Sequence, residues 1–140
     1  MSGVSIAQAD ISMRMENKKM LYRWVTKIIE SEKKSVGRIS IVLCSDDYLL
    51  EMNKKFLSHN YYTDIITFDY TEGKTISGEL YISVDRVKEN APKFKESFQN
   101  ELYQVMAHGI LHLCGYNDKT EAEVKQMRRK ENQKLKLIEE

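Results

Sequence analysis

Two histidines four residues apart, His108 and His112, with an aspartate six residues further on, Asp118, are the side chains in this sequence best suited to chemistry. On a helix each residue turns about 100°, so a four-residue step leaves two side chains roughly 40° apart and one turn up. Two imidazole nitrogens placed that way can hold one metal ion. Gly115 offers the left-handed conformation that ends a helix, and the chain can then fold back and bring Asp118 to the same ion. The pattern H-x3-H-x5-D reads as a three-ligand site with open coordination positions, the kind that does chemistry. The alternative is two satisfied polar groups on a helix, because short motifs occur by chance. A helix buried on its other face, carrying both rings and then stopping at glycine, is an odd place to put imidazoles for packing.

The pattern also informs by what it lacks. Zinc peptidases of the H-E-x-x-H type take their general base from the residue after the first histidine. Here that residue is Gly109, so a peptidase would need its carboxylate from elsewhere. A glycine at that place suits the close approach of a strand or loop.

The chain has 140 residues, 41% apolar and 31% charged, with net charge +1. One domain over 1–140 is the expectation. No apolar run is long enough for a membrane span, so no membrane partner is expected. No basic segment followed by an apolar run opens the chain, so no secretory signal is visible. Cys44 and Cys114 sit in apolar stretches and read as small fillers in a reducing cytosol, which gives a cytoplasmic expectation. The balanced charge means that any contact with nucleic acid needs a local basic patch.

The elements that must position the histidines follow from periodicity. Met20, Leu21, Trp24, Val25, Ile28 and Ile29 recur at helical spacing over Asn17 to Glu32. Ser5–Asp10 and Arg38–Leu43 read as strands. Ser45 or Asp46 caps a helix over Asp47–Leu57, with Tyr48, Leu49, Met52 and Phe56 as its buried stripe. Tyr62–Tyr70 and Thr75–Val84, joined by Thr71-Glu72-Gly73-Lys74, read as a hairpin. A helix from Asp85 runs to Asn90, where Pro92 interrupts it. Phe98–Leu113 is the histidine helix; Glu101, Gln104, His108 and His112 form one stripe and Leu102, Val105, Met106 and Ile110 another. Thr120-Glu121-Ala122-Glu123 is a capping box that opens a charged helix to Ile138. The fold expected is α+β: a small mixed sheet with a hairpin, flanked by helices, with the metal site on a central helix.

With those residues placed, a resemblance emerges. His108-Gly109-Ile110-Leu111-His112-Leu113-Cys114-Gly115-Tyr116 closely matches H-G-x-L-H-L-x-G-Y, the signature of the YbeY endoribonucleases of bacterial ribosomal RNA maturation. Met52-Asn53, Phe56, Thr63-Asp64-Ile65-Ile66-Thr67-Phe68 and Gly78-Glu79-Leu80-Tyr81-Ile82-Ser83 resemble further family segments, and Met127 and Glu131 also fit. The resemblance implies a single-strand-specific, metal-dependent ribonuclease. Its expected work is small-subunit ribosomal RNA 3′-end maturation and ribosome quality control, with ribosomal RNA and the ribosome or its small subunit as partners. It also implies one Zn2+ per chain, another divalent transition metal being the alternative.

Two positions depart from the family pattern, which has histidine where Asp118 stands and arginine where Leu57 stands. A carboxylate ligates zinc at about 2.0–2.2 Å, so the site survives with one less positive charge and a harder donor set that brings iron, manganese or nickel closer. Leu57 cannot contact phosphate as an arginine would; His59, Lys54 and Lys55 are the nearest cationic groups.

The roles expected are therefore metal ligation by His108, His112 and Asp118, and catalysis by His108 and His112 with Asp64 and His59. Lys54, Lys55 and Lys119 are the expected substrate contacts. Asp64 reads either as a partner orienting a ligand histidine or as a turn residue, with Thr63 beside it. Lys125, Arg128, Arg129 and Lys130 line the approach or form a solvated face among glutamates. Tyr61, Tyr62 and Tyr70 stack on bases or pair across strands. Two rival functions stand: a ribosome-associated RNA-binding factor with a structural metal, and a metal-dependent hydrolase of another substrate.

Overall fold

The computed structural model describes residues 3–138. In chain order the elements are β1 (Gly3–Gln8), α1 (Lys18–Ser31), β2 (Ser35–Cys44), α2 (Asp46–Leu57), β3 (Ile65–Asp69), β4 (Thr75–Ser83), α3 (Val84–Lys93), α4 (Phe98–Leu113) and α5 (Glu121–Leu135). The strands form one sheet in the order β1-β2-β4-β3. β1 and β2 are parallel, β2 and β4 are parallel, and β3 runs antiparallel beside β4. The mixed α+β arrangement with its hairpin is as the sequence led us to expect.

Alternation decides which face does what. Ile39, Ile41 and Leu43 of β2 and Leu80 and Ile82 of β4 are fully buried on one face, against Leu21, Trp24, Val25 and Ile28 of α1 and the apolar residues of α4. The other face has a small cluster under α2: Cys44, Leu49 and Ile66, with Met52, Phe68 and Tyr81 packed on it. One face thus carries the core and seats α4, while the other is thinly covered. α5 lies on α4 and is tied to α1 where the Trp24 indole donates to the Lys134 carbonyl at 2.8 Å.

Six expectations need correction. The β3 strand starts at Ile65, not Tyr62, and β1 ends at Gln8 rather than Asp10. β2 is longer than Arg38–Leu43 because the pairing continues past an irregularity between Val36 and Ile39. There Gly37 lies so close to Ser77 that no side chain fits. In α2 the buried residues are Leu49 and Asn53, whereas Phe56 is 57% exposed and Tyr48 is also exposed, because this helix covers only an edge of the sheet. Pro92 does not interrupt α3 but lies in its last turn; the Phe94 N–H closes on the Asn90 and Ala91 carbonyls beyond it. α5 ends at Leu135 rather than Ile138.

Candidate metal centre

The centre is built on α4, which starts where the Ser97 hydroxyl accepts the Asn100 N–H. Ten of its residues are buried, because it is wedged between the sheet, α1 and α5. Gly109 makes the fit possible: a Cβ there would stand 2.8 Å from Ile65 Cδ1 and 2.9 Å from Leu80 Cδ1. The helix therefore presses against β3 and β4 and turns His108 and His112 towards the segment leading into β3.

Past α4 the chain reverses within a few residues. Gly115 has φ 106°. Its N–H donates to the His112 carbonyl at 3.0 Å, and the Tyr116 N–H donates to the Leu111 carbonyl at 3.1 Å, the paired bonds of a glycine-terminated helix. At the other end of the reversal the Thr120 hydroxyl accepts the Glu123 N–H at 3.1 Å and Glu123 accepts the Thr120 N–H at 2.9 Å, the expected capping box. Asp118 lies between these two fixed points.

The three side chains converge. His108 Nε2 and His112 Nε2 are 3.0 Å apart, and Asp118 Oδ2 is 3.2 and 3.3 Å from them. Ligands held tetrahedrally at about 2.0–2.1 Å from one ion stand roughly 3.3 Å from each other, so the spacing fits. The other ring nitrogens are already engaged: His108 Nδ1 is 2.6 Å from Glu131 Oε2, and His112 Nδ1 is 2.9 Å from the Tyr116 carbonyl oxygen. Neither oxygen can donate, so each neutral ring carries its proton on Nδ1 and points an Nε2 lone pair inward. Two lone pairs and a carboxylate facing one point with no donor among them are a donor set for a cation.

Glu131 is buried, and its Oε1 accepts from the Gln104 amide at 2.8 Å with the Arg128 guanidinium 3.5 Å away. Burial disfavours a charged His108, but the hydrogen bond and charge of Glu131 outweigh it, and in the metal-free protein the His108 pKa is raised. Asp64 follows a different balance. Its burial raises its pKa, and the positive charge available on His108 pulls only part of the way back. Glu101, on the histidine stripe of α4, is likewise raised by burial and then by the nearby Asp64 charge.

A cleft of about 460 Å³ opens over the centre, lined by Thr63, Asp64, Ile65, Thr67, Asp69, His108, His112 and Asp118. Asp64 and Thr63 are thus on its wall. His59 is not; its ring stacks on Tyr61, 5.1 Å between centroids, with Nδ1 3.0 Å from the tyrosine hydroxyl. Lys54 pairs with Glu51, Lys55 lies over the Phe56 ring, and Lys119 precedes α5 with its backbone N–H on Glu123; none lines the cleft. Tyr62 packs on Arg86, while Tyr70 donates to Glu79 on the thinly covered face of the sheet. The sequence marks Glu131 only as a matching position and a charge on α5, not as the partner of His108. The available signal is faint: Glu131 stands one helical turn from Met127, and the structure buries both. A buried charge demands a partner.

The family model described as Endoribonuclease YbeY matches residues 4–139. A protein of that name from Flavobacterium psychrophilum is 48% identical over 129 residues, covering 92% of each chain. One from Christiangramia forsetii is 52% identical over 123 residues, 87% of this chain and 86% of the relative. The solution structure of a Thermotoga maritima protein superimposes with a TM-score of 0.67 at 28% identity, over 96% of this chain and 88% of that one.

Proposed function

The chain belongs to the YbeY family of endoribonucleases, and we propose that it cleaves single-stranded ribosomal RNA with one divalent ion, Zn2+, held by His108, His112 and Asp118. The work we assign to it is small-subunit 3′-end maturation and ribosome quality control, in the cytoplasm and on the ribosome or its small subunit. The observation that carries the reading is the set of inward-facing donors, 3.0 to 3.3 Å apart, at the floor of an open cleft.

A divalent ion held by His108, His112 and Asp118 would supply Lewis-acid chemistry to the phosphodiester and its attacking water. The protein's own residues do the rest. Glu131 and the Tyr116 carbonyl hold both imidazoles in one tautomer and one orientation. Asp64, on the cleft wall with its pKa raised by burial, is placed to take a proton from an attacking water and to return it to the leaving oxygen. An unpaired strand suits the site because its splayed backbone can bring a phosphate down to the donors on the cleft floor, whereas a duplex holds its phosphates on a rigid helix. Lys125, Arg128 and Arg129 share one face of α5 with Asn132, Lys136 follows just past its end, and Arg128 reaches Glu131 beside the centre. That face gives the strand a cationic track.

The test pairs elemental analysis with cleavage of a single-stranded and a duplex RNA by the parent and His112→Ala. About one zinc per chain, cleavage of the single strand alone, and loss of both in a folded variant that still binds RNA support the reading. Undiminished cleavage by His112→Ala would remove the ion from the reaction.

A further inference from the structure

We propose that Glu32, at the end of α1, is a positioning residue for His112 and acts through Tyr116. The inference rests on the metal reading of His108, His112 and Asp118. The two imidazoles are held by different means. His108 has a carboxylate of its own, Glu131 at 2.6 Å. His112 has only the Tyr116 carbonyl, at 2.9 Å. The direction in which His112 Nε2 points therefore depends on how firmly the Tyr116 peptide is held.

Two anchors fix that residue. Its N–H donates to the Leu111 carbonyl at 3.1 Å. At the far end of the side chain its hydroxyl donates to Glu32 Oε1 at 2.6 Å. Glu32 is itself immobilised: Lys134 Nζ is 2.7 Å and Lys130 Nζ 3.4 Å from its other oxygen, with the side chain 11% exposed. Lys134 also donates to Ser31 Oγ at 2.7 Å, and Lys130 stands 5.5 Å from the centroid of the Tyr116 ring. Burial on its own would raise the Glu32 pKa, but Lys134, Tyr116 and Lys130 outweigh it, so the carboxylate stays charged. A charged acceptor makes a stronger and more directional bond to the hydroxyl than a neutral one.

The result is a relay of contacts from α5 to both histidines. Glu131 of α5 holds His108 directly. Lys130 and Lys134 of α5 hold Glu32, Glu32 holds Tyr116, and Tyr116 holds His112. A residue 84 positions before Tyr116 in the chain thereby sets the orientation of a metal ligand.

The test uses the full chain and Zn2+ alone as probe, by competition with a chromogenic chelator, together with imidazole 15N spectra of the metal-free protein. Removing a partner that orients a ligand weakens metal binding about 10–100-fold, and an indirect partner belongs at the lower end. Tyr116→Phe is expected to bind Zn2+ roughly tenfold more weakly, with His112 losing its single Nδ1–H tautomer. Glu32→Ala should match it, and the double variant should be no weaker than either single, because both remove one bond. Glu32→Gln should recover most of the affinity, since its amide oxygen still accepts the hydroxyl. If Glu32→Ala does not fold, Tyr116→Phe decides alone, because it leaves Glu32 paired to Lys134. Parental Zn2+ affinity and unchanged His112 signals in Tyr116→Phe would overturn the proposal. A parent that binds no Zn2+ would sink the metal reading instead, and the tautomer spectra would still decide the role of Tyr116.

Discussion

Exchange of Glu131 for glutamine tests how the centre is held. Glu131 Oε2 is 2.6 Å from His108 Nδ1 and its side chain is 5% exposed, so the exchange keeps the volume and removes a charge from a contact that water screens little. A hydrogen bond to a charged group contributes about 1.5–3 kcal/mol, and loss of a partner that orients a ligand histidine costs about 10–100-fold in metal affinity. Both scales meet near 2 kcal/mol, or roughly thirtyfold. The pH dependence sharpens the test. Because Glu131 outweighs burial and raises the His108 pKa, the parent must expel a proton to take up an ion below that value; the variant, with a lower pKa, need not. Zinc competition should show the full deficit at pH 8 and a shrinking one as pH falls towards about 6.5 and below. Stability of the metal-free protein has the matching sign. The raised pKa stabilises the fold below the unfolded value and that contribution is lost as pH rises through the folded value, so the variant should lose more Tm at pH 6 than at pH 9. Equal zinc affinity in parent and variant at pH 8, or a deficit that grows on acidification, would refute the argument.

Asp64→Asn should lower the rate of RNA cleavage by about 10²–10⁴-fold with zinc content unchanged; loss of zinc instead would make Asp64 part of the ligand set. Glu32 has a lowered pKa, so its contribution to stability is present above about 4.5 and fades as pH falls through the folded value. The Tm gap between parent and Glu32→Gln should therefore be open at pH 7 and narrow on acidification below about 4.5, and a gap that widens in acid would contradict this. At Gly78 a Cβ would stand 2.6 Å from the Phe68 carbonyl oxygen and 2.7 Å from Leu113 Cδ2, so Gly78→Ala should cost about 1–3 kcal/mol in urea denaturation; a neutral result would show that β3 gives way.

How much of this was legible follows from range. His108, His112, Gly115 and the Thr120–Glu123 box lie within 16 residues of each other, and local rules of spacing, chirality and capping reach that far. The α4 bounds, the reversal and the placing of Asp118 by the ligand histidines came from such rules. Glu131 on His108 and Glu32 on Tyr116 came from helix packing, which no local pattern encodes; the faint hint was that Glu131 stands one helical turn from Met127. The exposed Phe56 misled because helical spacing says which residues share a face, not how much partner surface meets it. At Pro92 the general penalty for proline in a helix met a last turn with little left to lose.

The segment that carries Asp118 is pinned by the glycine turn before it and the capping box after it, while Asp118 is itself 37% exposed and packs into no core. The choice of side chain at this position is thus decoupled from folding. Another donor of similar reach at 118 would leave the scaffold within about 0.5 kcal/mol of its stability and still alter the hardness and charge of the pocket. On the three-ligand reading proposed above, metal preference would be tuned through one solvent-facing residue, while the histidine helix stays constrained by the sheet, α1 and α5.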